Sequence, residues 1–314
     1  METNFKQPIL FIIFNKKEET KRVFYAIREQ KPAQLFIAAD GAREDKDGEK
    51  EKCELIRTWV LDNIDWECDV KTLFRDQNVG CGHAPAEAIT WFFEQVDEGI
   101  ILEDDCLPNE SFFKFCEELL PKYRNDTSIS IVSGNNFQPD QPLKLDGDYY
   151  YSIFPSTNGW ASWKCTWEGY DFNISSWKKL NKKSFLKFLF IEKKYQEWWR
   201  IMFDTTLNNP PQDAWDWQFH FHCMSRRQLA IIPKANLISN IGYGPDSTHF
   251  SDPNYYFANF KMYDMEFPLI HPSEISRNYE ADVFIQDNLF GEAEVIPFAK
   301  KVKRAIKKQI RRVK

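Results

Sequence analysis

Through the first 140 residues, short apolar runs alternate with longer stretches whose apolar side chains recur every three or four positions. Residues 8–14 (PILFIIF), 34–39 (QLFIAA), 69–74 (DVKTLF), 99–103 (GIILE) and 128–133 (SISIVS) have the length and β-prone composition of buried strands. Between them, Val23 and Ile27 mark a helix over 18–30, and Leu55, Ile56, Trp59, Val60 and Ile64 mark a second, charged one. Residues 84–97 read as a third, and Phe112, Phe113, Phe115, Cys116, Leu119 and Leu120 give 110–123 an apolar stripe. Strands of this kind separated by helices predict the α/β class: a mostly parallel, doubly wound sheet flanked by helices. Each helical crossover returns the chain in the direction of the previous strand.

After about residue 140 the alternation stops. Strand-like YYYSIF (149–154), a Trp-rich stretch (160–177), helical candidates over 184–207 and 213–226, and strand-like LAIIP (229–233) follow irregularly. No internal repeat and no Gly/Ser linker occurs, so the chain reads as two halves of one domain, 1–140 and 141–298, followed by a tail, 299–314. In the tail Phe298, Ala299, Val302, Ala305, Ile306, Ile310 and Val313 recur at helical spacing behind Pro297, and Lys or Arg fills most other positions. That is the pattern of a basic helix lying in an anionic membrane interface, and equally of a solvated or partner-docked basic helix.

Composition narrows the classes. Of 314 residues, 43% are hydrophobic, enough for a sizeable core. Aromatics make up 16%, which suits a surface that stacks on rings or simply a large core. No apolar run reaches the length of a membrane span, and the N-terminal run lacks a basic flank and a cleavage site, so it reads as a strand. Seven cysteines with no C-x-x-C spacing imply reduced thiols in a cytoplasm, and argue against a zinc site or a disulfide framework. Net charge is −6, but nine of the 41 basic residues and none of the 47 acidic ones lie in 299–314. The rest of the chain therefore carries −15 and is a poor partner for nucleic acid.

Residues 99–106, GIILEDDC, run an apolar strand into Glu103, Asp104 and Asp105. Ligands of parallel α/β sheets bind outside the carboxyl ends of the strands, and Pro108 keeps this strand from simply continuing. Adjacent carboxylates repel unless a cation holds them. Hard divalent ions such as Mg²⁺ and Mn²⁺ take one or two carboxylates together with substrate phosphates. The stretch thus reads either as a metal–diphosphate site or as a solvated acidic turn favouring the N-terminus of the following helix.

An apolar strand ending in Glu-Asp-Asp, then a Pro-bearing loop and an aromatic helix, resembles the D-x-D-type site of the GT-A-fold glycosyltransferases, in particular N-acetylglucosaminyltransferase I and related bacterial enzymes. The resemblance spans roughly residues 8–250 through several short motifs. It implies that Asp105 ligates Mn²⁺ or Mg²⁺ while Glu103 and Asp104 approach a nucleotide-diphosphate sugar. It places Asn15, after the first strand, near the base, and Asp40, in Asp40-Gly41-Ala42-Arg43, near the nucleoside. In RDQNVGCGHAPAEAITWFF (75–93) it brings Arg75 to phosphate or base, with Gly80 and Gly82 letting backbone come close; a Gly-containing loop before an ordinary helix fits as well. NGWASWKCTWEGYD (158–171) resembles a Gly-Trp element beside the transferred sugar, which points to Trp160; Trp163 and Trp167, at core-like helical spacing, read as core.

In PPQDAWDWQF (210–219), Trp215-Asp216 matches the family's Trp-Asp pair, whose Asp is the general base. Where the family has two successive acids this chain has Asp216-Trp217, so Asp213 remains a rival base, although its position suits an N-cap. SNIGYGPDSTHF (239–250) brings His249 behind a Gly/Pro loop, where several GT-A enzymes place a His at the metal or diphosphate; an exposed loop His fits too. The other histidines show no metal spacing. The resemblance implies an inverting hexosyl- or N-acetylhexosaminyltransferase of bacterial surface glycan synthesis, with a glycan or lipid-linked acceptor, cytoplasmic or peripheral on the inner membrane face. One alternative is a sugar-1-phosphate nucleotidyltransferase, but those carry a Gly-rich signature after the first strand and FIIFNKKEETKR has no Gly. The other is a non-catalytic binder of sugar nucleotides or glycans on the same fold.

Overall fold

A computed structural model describes residues 5–138, 143–209, 214–242 and 260–291. The chain runs through β1 (Ile9–Ile13), α1 (Lys17–Gln30), β2 (Gln34–Ala39), α2 (Glu49–Asp62), β3 (Asp69–Phe74), α3 (Gly80–Phe93) and β4 (Glu98–Glu103). A two-residue turn at Asp104 and Asp105 leads into β5 (Cys106–Pro108), then α4 (Glu110–Tyr123) and β6 (Ile129–Ser133). The later part adds β7 (Tyr149–Ser152), β8 (Trp160–Trp163), α5 (Lys164–Trp167), α6 (Lys182–Leu189), α7 (Lys193–Asn208), α8 (Asp216–Ser225), β9 (Leu229–Pro233), β10 (Ile238–Asn240) and α9 (Tyr279–Ile285).

One sheet of the described residues has the order β3-β2-β1-β4-β8-β6-β9-β7. β1 to β4 are parallel, as are β6 and β9, while β8 and β7 run against their neighbours. This is the mostly parallel α/β sheet, flanked by helices, that the sequence predicts. β8, from the later half, lies between β4 and β6, so both halves build the same sheet. The chain steps from β1 outward to β2 and β3, then returns to set β4 on the other side of β1. The reversal makes the carboxyl ends of β1 and β4 the switch point where such sheets bind ligands.

Strand alternation assigns each face its helices. Ile9, Phe11 and Ile13 of β1 pack with Val23, Phe24 and Ile27 of α1 and with the stripe of α4. Leu10, Phe36 and Ile101 turn the other way, onto Ile89, Phe92 and Phe93 of α3. Phe112, Phe113, Phe115, Leu119 and Leu120 of α4 are all buried, each contributing about 1.5–3 kcal/mol over exposure. A third, aromatic cluster joins Phe154, Trp177, Trp199, Phe203 and Phe221 between α6, α7 and α8. There the indole N–H groups of Trp177 and Trp199 donate to Asp204 and Gln286, so neither polar atom is buried unpaired.

Two expectations change here. The spacing of Trp160, Trp163 and Trp167 predicts a helix, but Trp160–Trp163 is strand β8, and only Lys164–Trp167 turns helical. Trp160 and Trp163 therefore face opposite sides of the sheet, each in a different core cluster. The chain after the strand read over 99–103, which does end at Glu103, is also not a plain Pro-bearing loop. It turns at Asp104 and Asp105, resumes as β5, and pairs antiparallel with β10, with Asn240 opposite Cys106. Among the described residues no helix is long and apolar enough to cross a membrane. The tail 299–314 lies outside the described residues.

Candidate active site

Parallel pairing sets Ile12 of β1 opposite Glu103 of β4, so both strands finish at the same level. The triplet then divides by side. Asp104 turns inward, is buried, and accepts the backbone N–H of Phe14 at 3.0 Å. Glu103 and Asp105 turn into a cavity of about 550 Å³. The solvated helix-capping turn is not what forms, since Asn109 caps α4, its side chain accepting the Phe112 N–H at 3.1 Å.

The cationic partner of the triplet is a residue that the motif reading passed over. Lys16, just before α1, places Nζ 2.7 Å from Asp105 Oδ2, and both side chains are mostly buried (20% and 17% exposed). Burial alone would lower the ammonium's pKa, but Asp105, Asp104 and Glu103 together raise it, so Lys16 is charged. The far side of the acidic turn is pinned by the ribbon: Ile241 N–H donates to the Asp105 carbonyl at 2.9 Å. Gly242 follows so closely that a Cβ there would lie 2.2 Å from Asp105 Oδ2, which no larger residue could avoid without displacing the carboxylate.

Burial, reinforced by Asp105 and Asp104, pushes Glu103 up to about 8, and burial pushes Asp104 up to about 7 against the pull of Lys16. A carboxyl whose pKa is raised in the fold holds its proton more tightly folded than unfolded. Stability therefore falls as pH climbs from the ordinary value of 4.5 to about 8. Glu103→Gln is expected to flatten that fall by at least about 1 kcal/mol, read by chemical denaturation at the two ends of the window. An unchanged slope would place Glu103 in an ordinary solvated setting.

The opposite wall comes from the later half. Asp216 opens α8 and lines the same cavity, close enough for its charge to raise the Glu103 pKa. Asp216 Oδ1 accepts the N–H of Trp217 at 3.0 Å. The helix starts later than the sequence suggests, with Trp215 in the capping position and no side-chain cap. Asp213, the rival base, and His249 lie outside the described residues. His220, one turn along α8, bonds through Nδ1 to the Asp216 carbonyl at 2.9 Å. A carbonyl only accepts, so the proton sits on Nδ1 and Nε2 is the ring's acceptor. Burial lowers the His220 pKa, which keeps the ring neutral. Phe154, Trp215, Trp217 and Phe290 supply an aromatic wall beside these polar groups.

Four other sequence candidates are placed differently. Trp160 does not reach the cavity: it is 1% exposed, inside the sheet, with Trp215 stacked beside it at 6.0 Å. Trp215, stacked on Trp160, is the tryptophan that lines the cavity. Asp40 is also drawn inward. Its carboxylate accepts Gly41 N–H at 2.9 Å, Val79 N–H at 3.0 Å, Gly80 N–H at 2.9 Å and the Asn78 amide at 2.9 Å. It thereby caps α3 from a distance, and Gly80, at φ +88, gives its N–H to that cap and not to a ligand. From 75–93 it is Cys81 and Pro85 that line the cavity. Arg75 is tied to Glu87 at 2.6 Å, away from the lining residues. Asn15 donates to Glu49 at 2.8 Å, and Glu49 also holds the Arg43 guanidinium, which lies 5.7 Å from the Phe14 ring centre. That polar group sits beyond the ends of β1 and β2, beside the cavity but not in its lining.

The metal expected at Asp105 does not fit these residues as they stand. Asp105 Oδ2 is taken by the Lys16 ammonium, and Asp104 is taken by backbone. Among the described residues no group of three His, Cys, Asp or Glu side chains could hold an ion without ligands from a substrate.

No protein-family model matches the chain, and no curated protein matches it. Among solved structures, HddC from Yersinia pseudotuberculosis is similar over 55% of this chain and 87% of its own, at 12% identity and a TM-score of 0.30. Its complex with GMP-PN matches over 56% and 87%, at 12% identity and 0.32. The apo form of mouse xyloside xylosyltransferase 1 matches over 70% of this chain and 81% of its own, at 10% identity and 0.32. Likeness this distant bears on neither activity nor ligands.

Proposed function

We propose that this chain is a glycosyltransferase that moves a sugar from a nucleotide-diphosphate sugar to an acceptor hydroxyl. One observation carries the reading. Glu103 and Asp105, from the switch-point end of β4, share a cavity with Asp216, from the start of α8, and with an aromatic wall. The polar side, where the Lys16 ammonium stands against Asp105, suits a diphosphate leaving group, and the aromatic side suits the C–H faces of sugar rings. The acceptor oxygen forms its bond to the anomeric carbon as the bond to the diphosphate oxygen breaks. The nucleoside diphosphate leaves with the bonding pair, and the hydroxyl proton passes to Asp216 as general base. A single displacement of this kind inverts the anomeric centre. A glycan or a lipid-linked precursor is the proposed acceptor class. The test is a panel of UDP-, GDP-, CDP- and dTDP-sugars, scored for binding and for slow release of nucleoside diphosphate to water. Release from one donor class is expected. Neither binding nor release across the panel would sink the reading.

A further inference from the structure

The two strands that flank the switch point end in opposite charges. β1 leads to Lys16, and β4 leads to Glu103, Asp104 and Asp105. Lys16 is the only Lys or Arg among the described residues that line the cavity. A nucleotide diphosphate brought to the ends of β1 and β4 meets the carboxylate of Asp105 there, so some cation has to offset the repulsion. An ammonium has three N–H donors. One goes to Asp105 at 2.7 Å, which fixes the head group in direction and leaves two for phosphate oxygens. A divalent ion at Asp105 would first have to displace this bond.

We propose that Lys16 is the resident cation of the site: its ammonium, aimed by Asp105, binds the donor diphosphate and neutralises it as it leaves, so donor binding needs no metal ion. The inference rests on the glycosyltransferase reading. In the transfer step Lys16 keeps its protons and donates two hydrogen bonds to the departing diphosphate oxygens, while Asp216 takes the acceptor proton. Charge developing on the leaving group is then met by a preorganised donor.

The experiment is calorimetric titration of UDP, GDP, CDP and dTDP into wild type, Lys16→Met, Lys16→Arg and the double variant Lys16→Met/Asp105→Asn, in EDTA and in Mn²⁺. Binding of one nucleoside diphosphate in EDTA is expected, weakened about tenfold or more in Lys16→Met. Lys16→Arg, which keeps the charge, should retain part of it and guards against a variant that fails to fold. The double variant should stay weak, because the phosphate contact is gone. Recovery in the double variant would mean that Lys16 only cancels Asp105, and would overturn the proposal. Wild-type binding that appears only with Mn²⁺ would overturn it too, yet leave the transferase reading intact. No binding in either condition would overturn both.

Discussion

Asp216→Asn is expected to lower kcat by about 10²–10⁴-fold while nucleoside diphosphate affinity stays within about twofold. A general base acts on the proton in flight, so removing it affects the transition state and not the bound donor. Asn keeps the shape of the side chain and can still accept the Trp217 N–H that Asp216 Oδ1 accepts at 3.0 Å, so α8 should start normally. Transfer assays on the donor that responds in the panel, paired with titration of its nucleoside diphosphate, separate the two quantities. If kcat holds in this variant and falls in Asp213→Asn, the roles of the two acids are exchanged. If both variants turn over normally, no carboxylate of this segment is the base and the neutral His220 becomes the group to test.

Asp40→Ala is expected to cost about 2–4 kcal/mol of folding stability. Four N–H donors converge on one buried carboxylate, three of them backbone groups that could find no other partner without water entering. Two of those donors open α3, so the charge also meets the positive end of the helix. Urea denaturation reads the loss. In the folded fraction, nucleoside diphosphate affinity should change far less than stability does. Unchanged stability with lost binding would restore Asp40 to the nucleoside contact that the family resemblance implies.

The first half of the fold was legible because its physics is local. Residues 34–39, 69–74 and 110–123 take the structures their patterns predict, end to end. Strand β8 was not legible, because WASW is buried on both faces between β4 and β6 and so shows no alternation, while its two tryptophans happen to sit at helical spacing. The acid triplet could be found from charge density alone, but not its division into an inward Asp104 and an outward pair, which depends on where the turn falls. Lys16 could not be found at all. A lysine after a strand in FIIFNKK looks like surface, and its partner is 89 positions away. Asp40 was harder to read for the opposite reason: an acid behind a strand is a fair ligand candidate until Gly41, Asn78 and the start of the helix some forty residues on are seen to donate to its carboxylate.

The ribbon that pins the acidic turn also sets the time at which the site comes into being. β1 to β4 and their helices can assemble as they leave the ribosome, but β10 follows Cys106 by about 130 residues. Until it arrives, Asp104 and Asp105 belong to an open turn with no partner strand. An unfinished chain thus has the carboxylates without the Ile241 N–H that holds the backbone of their turn. The same closure joins residues about 130 positions apart, so it forms slowly relative to local pairs.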